Sequence, residues 1–318
     1  MKGFLEVLLN IHFLTVKGSE LKPKEERTLI SRLILNGIKY VVRHTAYAYL
    51  QIKRITGLVK IIPLIDSPEK VIVSLTTFPL RINNLWMVLY CIYQQTILPG
   101  KIIVVLTKEE IPQGLESLPK SLKFFLDKGV EILFTEDNLR PHNKYFYTRQ
   151  KYQDRTVITI DDDGLYYKNT IERLLNLHKK YPNAICANKT TKIVLDGERL
   201  GNYSKYKLAI NHDPSHFLLA LGVCGVLYPA SFKYPELYNI EKIKKLALNT
   251  DDLWLKAMEI LANIKVTTGD YCAHPMVIPS SQKKALMHTN NGPLSQNDKN
   301  LMLLDSEYNI SHILQNLI

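Results

Sequence analysis

Apolar residues run in short blocks along the middle of the chain, separated by polar breaks. Val71-Ile-Val-Ser-Leu75, Lys101-Ile-Ile-Val-Val-Leu106, Val130-Glu-Ile-Leu-Phe134 and Thr156-Val-Ile-Thr-Ile160 are apolar and β-branched, as strands of a buried sheet are. Between them the spacing turns helical. Trp86, Val88, Leu89, Cys91 and Ile92 predict a helix ending before Pro99-Gly100, and Ile171, Leu174, Leu175 and Leu177 predict another closing on His178-Lys179-Lys180. Strands alternating with helices predict an α/β fold with a mostly parallel sheet.

Beyond about residue 185 the alternation weakens. Gly222-Val-Cys-Gly-Val-Leu-Tyr-Pro229 is an apolar segment punctuated by glycine. Thr250-Asp-Asp-Leu-Trp-Leu255 opens a helix through Met258, Ile260 and Leu261, with Thr250 expected as its N-cap. A main domain over 68–318 is expected, with halves at 68–185 and 186–318.

Residues 1–67 are of a different character. Leu29, Ile30, Leu33, Ile34, Ile38, Val41 and Val42 recur at helical spacing, interleaved with Arg32, Lys39, Arg43, Lys53 and Arg54 and with Tyr40, Tyr47 and Tyr49. Two readings of this basic amphipathic helix stand side by side. It lies on an anionic membrane surface, or it packs on the main domain or on a partner. Residues 1–60 hold eleven basic side chains against four acidic ones, so most of the net charge of +11 is N-terminal. The remainder is mildly basic, which argues against nucleic acid as a partner. No apolar run reaches the roughly 18–20 residues of a membrane span. Phe4 to Val16 is broken by Glu6, Asn10 and His12 and lacks a small-residue cleavage site. Cys91, Cys186, Cys224 and Cys272 are far apart, with no CxxC pair. Buried free thiols in a reducing cytosol are expected. A cytoplasmic protein, peripheral on the inner membrane's cytoplasmic face, fits these features together.

The candidate chemistry is concentrated in Asp161-Asp162-Asp163, directly after the strand ending at Ile160. Three acids at a strand end bring like charges together, and these need compensation. A hard divalent cation shared with substrate phosphates is one form of it; a solvated acidic turn is the plainer reading. The acids occupy a strand-to-helix turn, the place where open α/β sheets bind ligands. Asp251 and Asp252 carry a similar ambiguity. First-turn acids suit a helix N-terminus, and a carboxylate there can also take up a substrate proton.

The ordered segments Ser74–Arg81, Lys144–Tyr147, Ile158–Asp163, Pro214-Ser-His216, Gly222–Pro229, Asp251–Ala257, Ser281-Gln282, Ala285-Leu286 and Asn297-Asp298 carry a family resemblance. From about Val71 to Tyr308 the chain resembles the GT-A class of nucleotide-sugar glycosyltransferases, in particular bacterial enzymes of capsule or surface-polysaccharide assembly. It is also similar in layout to exostosin-like transferases. It departs from the pattern at Cys224, where a glycine is expected, and at Asn291 and Pro293.

The resemblance implies a Rossmann-like GT-A fold and a hexosyl- or N-acetylhexosaminyl-transferase that uses Mn²⁺ or Mg²⁺. It places Asp163 and Asp161 on the metal, with His288 as a candidate third ligand. Thr76, Thr77, Arg81, Lys144, Tyr145, Asp161 and Asp162 would contact the nucleotide-diphosphate sugar, a UDP-sugar being favoured. Gly222 and Gly225 would line the site of a glycan or lipid-linked acceptor. Asp252, with Asp251 beside it, would be the acid on the acceptor side. Two alternatives remain, a metal-dependent phosphohydrolase and a non-catalytic nucleotide-sugar-binding or scaffold protein. Against the first, Gly164-Leu165 follow the acids where a haloacid-dehalogenase pattern needs x-Thr or x-Val.

Overall fold

The computed structural model describes residues 3–21, 28–279, 281 and 295–317. Its core is an eight-stranded sheet. The strands are β1 Ile72–Thr76, β2 Lys101–Thr107, β3 Val130–Thr135, β4 Val157–Thr159, β5 Ile185–Ala187, β6 His212–Ser215, β7 Val226–Tyr228 and β8 Val266–Thr268, in the order β6-β8-β5-β7-β4-β1-β2-β3. β1 to β4 are mutually parallel. β7 runs antiparallel between β4 and β5, β8 is parallel to β5, and β6 is antiparallel at the edge. The result is a mostly parallel, Rossmann-like α/β sheet flanked by helices. The four expected strands all form, within a residue or two of their predicted limits.

The strands after residue 185 are short, which is why their alternation is faint in the sequence. β7 follows a tight turn at Gly222–Cys224 and Gly225 at φ 92°, a left-handed conformation that favours glycine.

The longer helices are α1 Phe4–Glu20, α2 Leu29–Ile55, α3 Leu85–Ile92, α4 Asn143–Lys151, α5 Thr170–Lys180, α6 Asp251–Leu261 and α7 Gln296–Tyr308. All eight residues of α3 are buried. The N-terminal helices pack on the domain: Leu8, Leu9 and Val16 of α1 and Val42, Ala46 and Leu50 of α2 join the same core as Trp86 and Leu89. Polar ties hold α1 in place. His12 Nδ1 is 2.8 Å from the Tyr167 hydroxyl, and Lys189 Nζ is 2.6 Å from Glu20. Of the two readings of the extension, packing on the main domain describes α1 and the inner face of α2. The four cysteines are free and buried.

Strand order fixes where a ligand can enter. β2 and β3 lie on one side of β1 and β4 lies on the other, so the loops leaving β1 and β4 diverge. Such a switch point opens a crevice at the carboxyl ends of the strands. Thr76 to Arg81 leave β1 there, and Asp161 to Asp163 leave β4 beside them.

Candidate functional site

The acids at the switch point are held by named cations. Asp162 is buried, and both its oxygens are engaged. Oδ1 accepts from Arg81 Nη1 at 2.6 Å and Oδ2 from the Thr77 hydroxyl at 2.5 Å. Arg81 also reaches Asp163 Oδ2 at 3.2 Å and donates from Nε to the Ser281 carbonyl at 3.1 Å. Burial raises the Asp162 pKa, and Arg81 and Thr77 work against that rise. Burial also disfavours the Arg81 charge, but Asp162 and Asp163 outweigh it and raise the Arg81 pKa. The triplet is thus divided: Asp162 is buried and fully engaged by Arg81 and Thr77, and the partly exposed Asp161 and Asp163 carry the remaining carboxylate surface.

A second ion cluster joins this turn to α6. Lys144 stands in the first turn of α4, and α4 is tied to β1 because the Ser74 hydroxyl donates to the Lys144 carbonyl at 2.5 Å. Lys144 Nζ donates to Asp161 Oδ1 at 2.7 Å. Asp251 Oδ2 is 2.9 Å from the same nitrogen, an ion pair without hydrogen-bond alignment. Burial opposes the Lys144 charge, yet Asp161, Asp251 and Asp252 hold its pKa well above the ordinary value. Burial likewise opposes the Asp251 charge, and Lys144 and then His142 bring its pKa below the usual carboxylate range. Asp252 behaves in the opposite way. Burial and the neighbouring Asp251 and Asp161 charges push its pKa well above the ordinary value, against Lys144. Its Oδ1 accepts from the Gly222 amide at 3.1 Å. A carboxyl group whose pKa is shifted by burial and by named charged neighbours is a candidate functional group.

Other predicted residues fall elsewhere. Tyr145 is a correction: it is fully buried, its hydroxyl 2.9 Å from His142 Nδ1, in the core around α6. It cannot reach a donor. Thr76 spends its hydroxyl on the Val105 carbonyl. Gly225 packs against Ile160, Leu174 and Thr170 rather than toward the acids, whereas a Cβ on Gly222 would lie 2.9 Å from Asp252 Oδ1 and 3.2 Å from Lys144 Nζ. Thr250 is at the N-cap position of α6 but does not cap with its side chain. Its hydroxyl instead accepts from Asn300 Nδ2 at 2.6 Å. Asp298 accepts from the Tyr203 amide at 2.7 Å, a structural role. Pro214-Ser-His216 lines a cleft of about 600 Å³ at the start of β8, at the opposite end of the sheet from the acids. His288 lies outside the described residues.

The sequence reading missed Tyr166, which accepts from the Asp161 amide at 2.8 Å and donates to the Val223 carbonyl at 3.1 Å. It thereby clamps the acidic turn to the Gly222 turn. Its place three residues after the triplet was the available signal.

Asp161 and Asp163 have the donor chemistry for a hard cation. Among the described residues, no three His, Cys, Asp or Glu side chains are grouped to hold an ion alone. Mg²⁺ shared with a diphosphate needs only one or two carboxylates, so these residues fit such an ion.

No protein-family model matches the sequence, and no curated protein matches it. Solved structures do. S. aureus TarS residues 1–349 in complex with UDP is 14% identical with a TM-score of 0.42, over 64% of this chain and 59% of that one. CMP:2-keto-3-deoxy-manno-octonic acid synthetase with CTP is 12% identical with a TM-score of 0.39, over 67% and 91%. 4-Diphosphocytidyl-2C-methyl-D-erythritol synthase is 14% identical with a TM-score of 0.40, over 66% and 94%. Likeness at this level does not transfer an activity, so the chemistry has to come from the site's own residues.

Proposed function

We propose that the chain is a metal-dependent glycosyltransferase, moving a sugar from a nucleotide-diphosphate donor to a glycan or lipid-linked acceptor of surface-polysaccharide synthesis. A UDP-sugar is the favoured donor, and the enzyme works at the cytoplasmic face of the membrane. The observation that carries the reading is the meeting of two acid pairs. They meet through one member of each: Asp161 from the β4 turn and Asp251 from α6 share Lys144 Nζ, with Asp252 next to Asp251 and Asp163 on the Arg81 side of the triplet, at the switch point of the sheet.

When bound, Mn²⁺ or Mg²⁺ held by Asp163 and Asp161 would neutralise charge on the departing diphosphate. The chain's own residues do the rest. Arg81 and Thr77 fix the turn through Asp162, so that the flanking carboxylates are presented without rearrangement. Lys144 places a fixed positive charge beside Asp161. Asp252 Oδ1 accepts from the Gly222 amide, which leaves Oδ2 outside that bond. The role of Asp252 is that of the acceptor-side carboxylate that takes the proton of the incoming hydroxyl as the glycosidic bond forms and the nucleoside diphosphate leaves. Burial and the Asp251 and Asp161 charges beside it favour uptake of a proton by Asp252.

A thermal-shift screen of nucleotide sugars with and without Mn²⁺ tests the reading. At least one donor should raise the melting temperature only in the presence of the metal. No metal-dependent shift with any nucleotide sugar would count against it.

A further inference from the structure

The packing of α1 and α2 leaves their outer faces open. On α1, Phe4, Val7, Ile11 and Leu14 are 39–67% exposed, spaced three and four residues apart in one stripe. On α2, Leu29, Ile30, Leu33, Ile34, Ile38 and Val41 are exposed, while the buried side chains of that helix are Val42, Ala46 and Leu50. An apolar surface of this extent marks an interaction site.

Charge identifies the occupant. No Asp or Glu occurs from Thr28 to Ile65, whereas Arg32, Lys39, Arg43, Lys53, Arg54 and Lys60 lie in that stretch. Arg32, Arg43 and Arg54 recur every eleven residues, about three turns, so they form a row between the exposed stripe and the buried face, with Arg54 stacked over Trp86 at 5.3 Å. Two copies of such a face would repel each other, and a protein partner would have to supply all the acid. A bilayer with anionic headgroups provides apolar depth and negative charge in this arrangement. None of the helices among the described residues is long and apolar enough to cross a membrane.

We infer that α1 and the first half of α2 form one in-plane docking face for an anionic bilayer, seated through Phe4, Val7, Ile11, Leu14, Ile30, Leu33 and Ile34 and flanked by the arginine row. The inference does not depend on which reaction the acid cluster performs. It gives membrane contact to the outer face while the inner face stays in the core, so removing residues 1–67 would damage the domain rather than merely release it.

The test uses the full chain and vesicles of phosphatidylcholine alone or with phosphatidylglycerol. Co-sedimentation should be at least about 10-fold stronger on the anionic vesicles and weaken with salt. Ile30→Glu/Ile34→Glu should lose that binding, with an unchanged circular dichroism spectrum and melting temperature. Leu14→Glu, on the other helix, should weaken it as well. The face is refuted if wild type and double variant sediment equally, or if neither binds vesicles. It is equally refuted if the wild type is a dimer that the double variant dissolves without any vesicle binding.

Discussion

The amide of Gly222 donates to Asp252 Oδ1 at 3.1 Å, and a methyl group on Gly222 would lie 2.9 Å from that same oxygen. The close approach is possible because residue 222 has no side chain. Gly222→Ala should therefore displace the Asp252 carboxylate and Lys144 while leaving the sheet intact. A stability loss of about 1–3 kcal/mol is expected from overpacking, with turnover per folded molecule at least about 10-fold lower. Full activity in the alanine variant would show that Asp252 does not need this position.

Asp252→Asn should separate function from stability. The folded carboxyl holds its proton to higher pH than an unfolded aspartate, so its contribution to stability is complete below about pH 4 and is lost as pH rises through the raised folded value. The amide has no charge to bury. The variant's melting temperature should match the wild type in acid and exceed it increasingly toward pH 8. A melting temperature that falls at pH 8 would mean that Asp252 serves the fold.

Lys144→Met removes the cation shared by Asp161 and Asp251 and leaves the buried Asp251 beside the partly exposed Asp161 with no cation between them. Breaking such a buried pair typically costs about 3–5 kcal/mol. The loss should be full at pH 7, above the ordinary aspartate value of about 4, and shrink toward pH 3 as Asp251 is protonated through its depressed folded value. Denaturant titrations at the two pH values measure it, and a pH-independent loss would point to packing alone.

Away from the site, Glu259 is buried beside Lys256 Nζ at 3.2 Å. Burial raises its pKa to about 7, against the Lys256 charge. The stability it contributes is therefore complete below about pH 4.5 and is lost as pH rises through 7, on the order of 3 kcal/mol in all. Glu259→Gln should flatten the stability profile over that window. An unchanged profile between pH 4.5 and 7 would remove Glu259 from the account.

The acidic turn was legible because strand, charge and turn are contiguous in the sequence, and strand order then places that turn beside Arg81. The Lys144–Asp251 link was not legible, since it depends on α4 being laid against β1 by the Ser74 hydroxyl. Tyr145 was misplaced for a related reason. Neighbours on a helix point about 100° apart, so the helix that aims Lys144 at the acids aims Tyr145 into the core. The docked α1 was obscured by Glu6, Asn10 and His12, polar residues in an apolar run. In the fold His12 meets Tyr167 and Glu6 lies 3.8 Å from Lys168.

The central claim is that Asp163 belongs to the donor side and Asp252 to the acceptor side of one transferase site. The most direct measurement follows release of nucleoside diphosphate from the sugar nucleotide identified by thermal shift, in Mn²⁺, for wild type, Asp163→Asn and Asp252→Asn, with donor affinity measured in parallel by calorimetry. The account predicts metal-dependent turnover in the wild type and loss of both donor binding and turnover in Asp163→Asn. In Asp252→Asn, donor affinity should be nearly unchanged and turnover about 10²–10⁴-fold lower. Wild-type turnover that persists without metal, or an Asp163→Asn variant with undiminished donor affinity and rate, would contradict it.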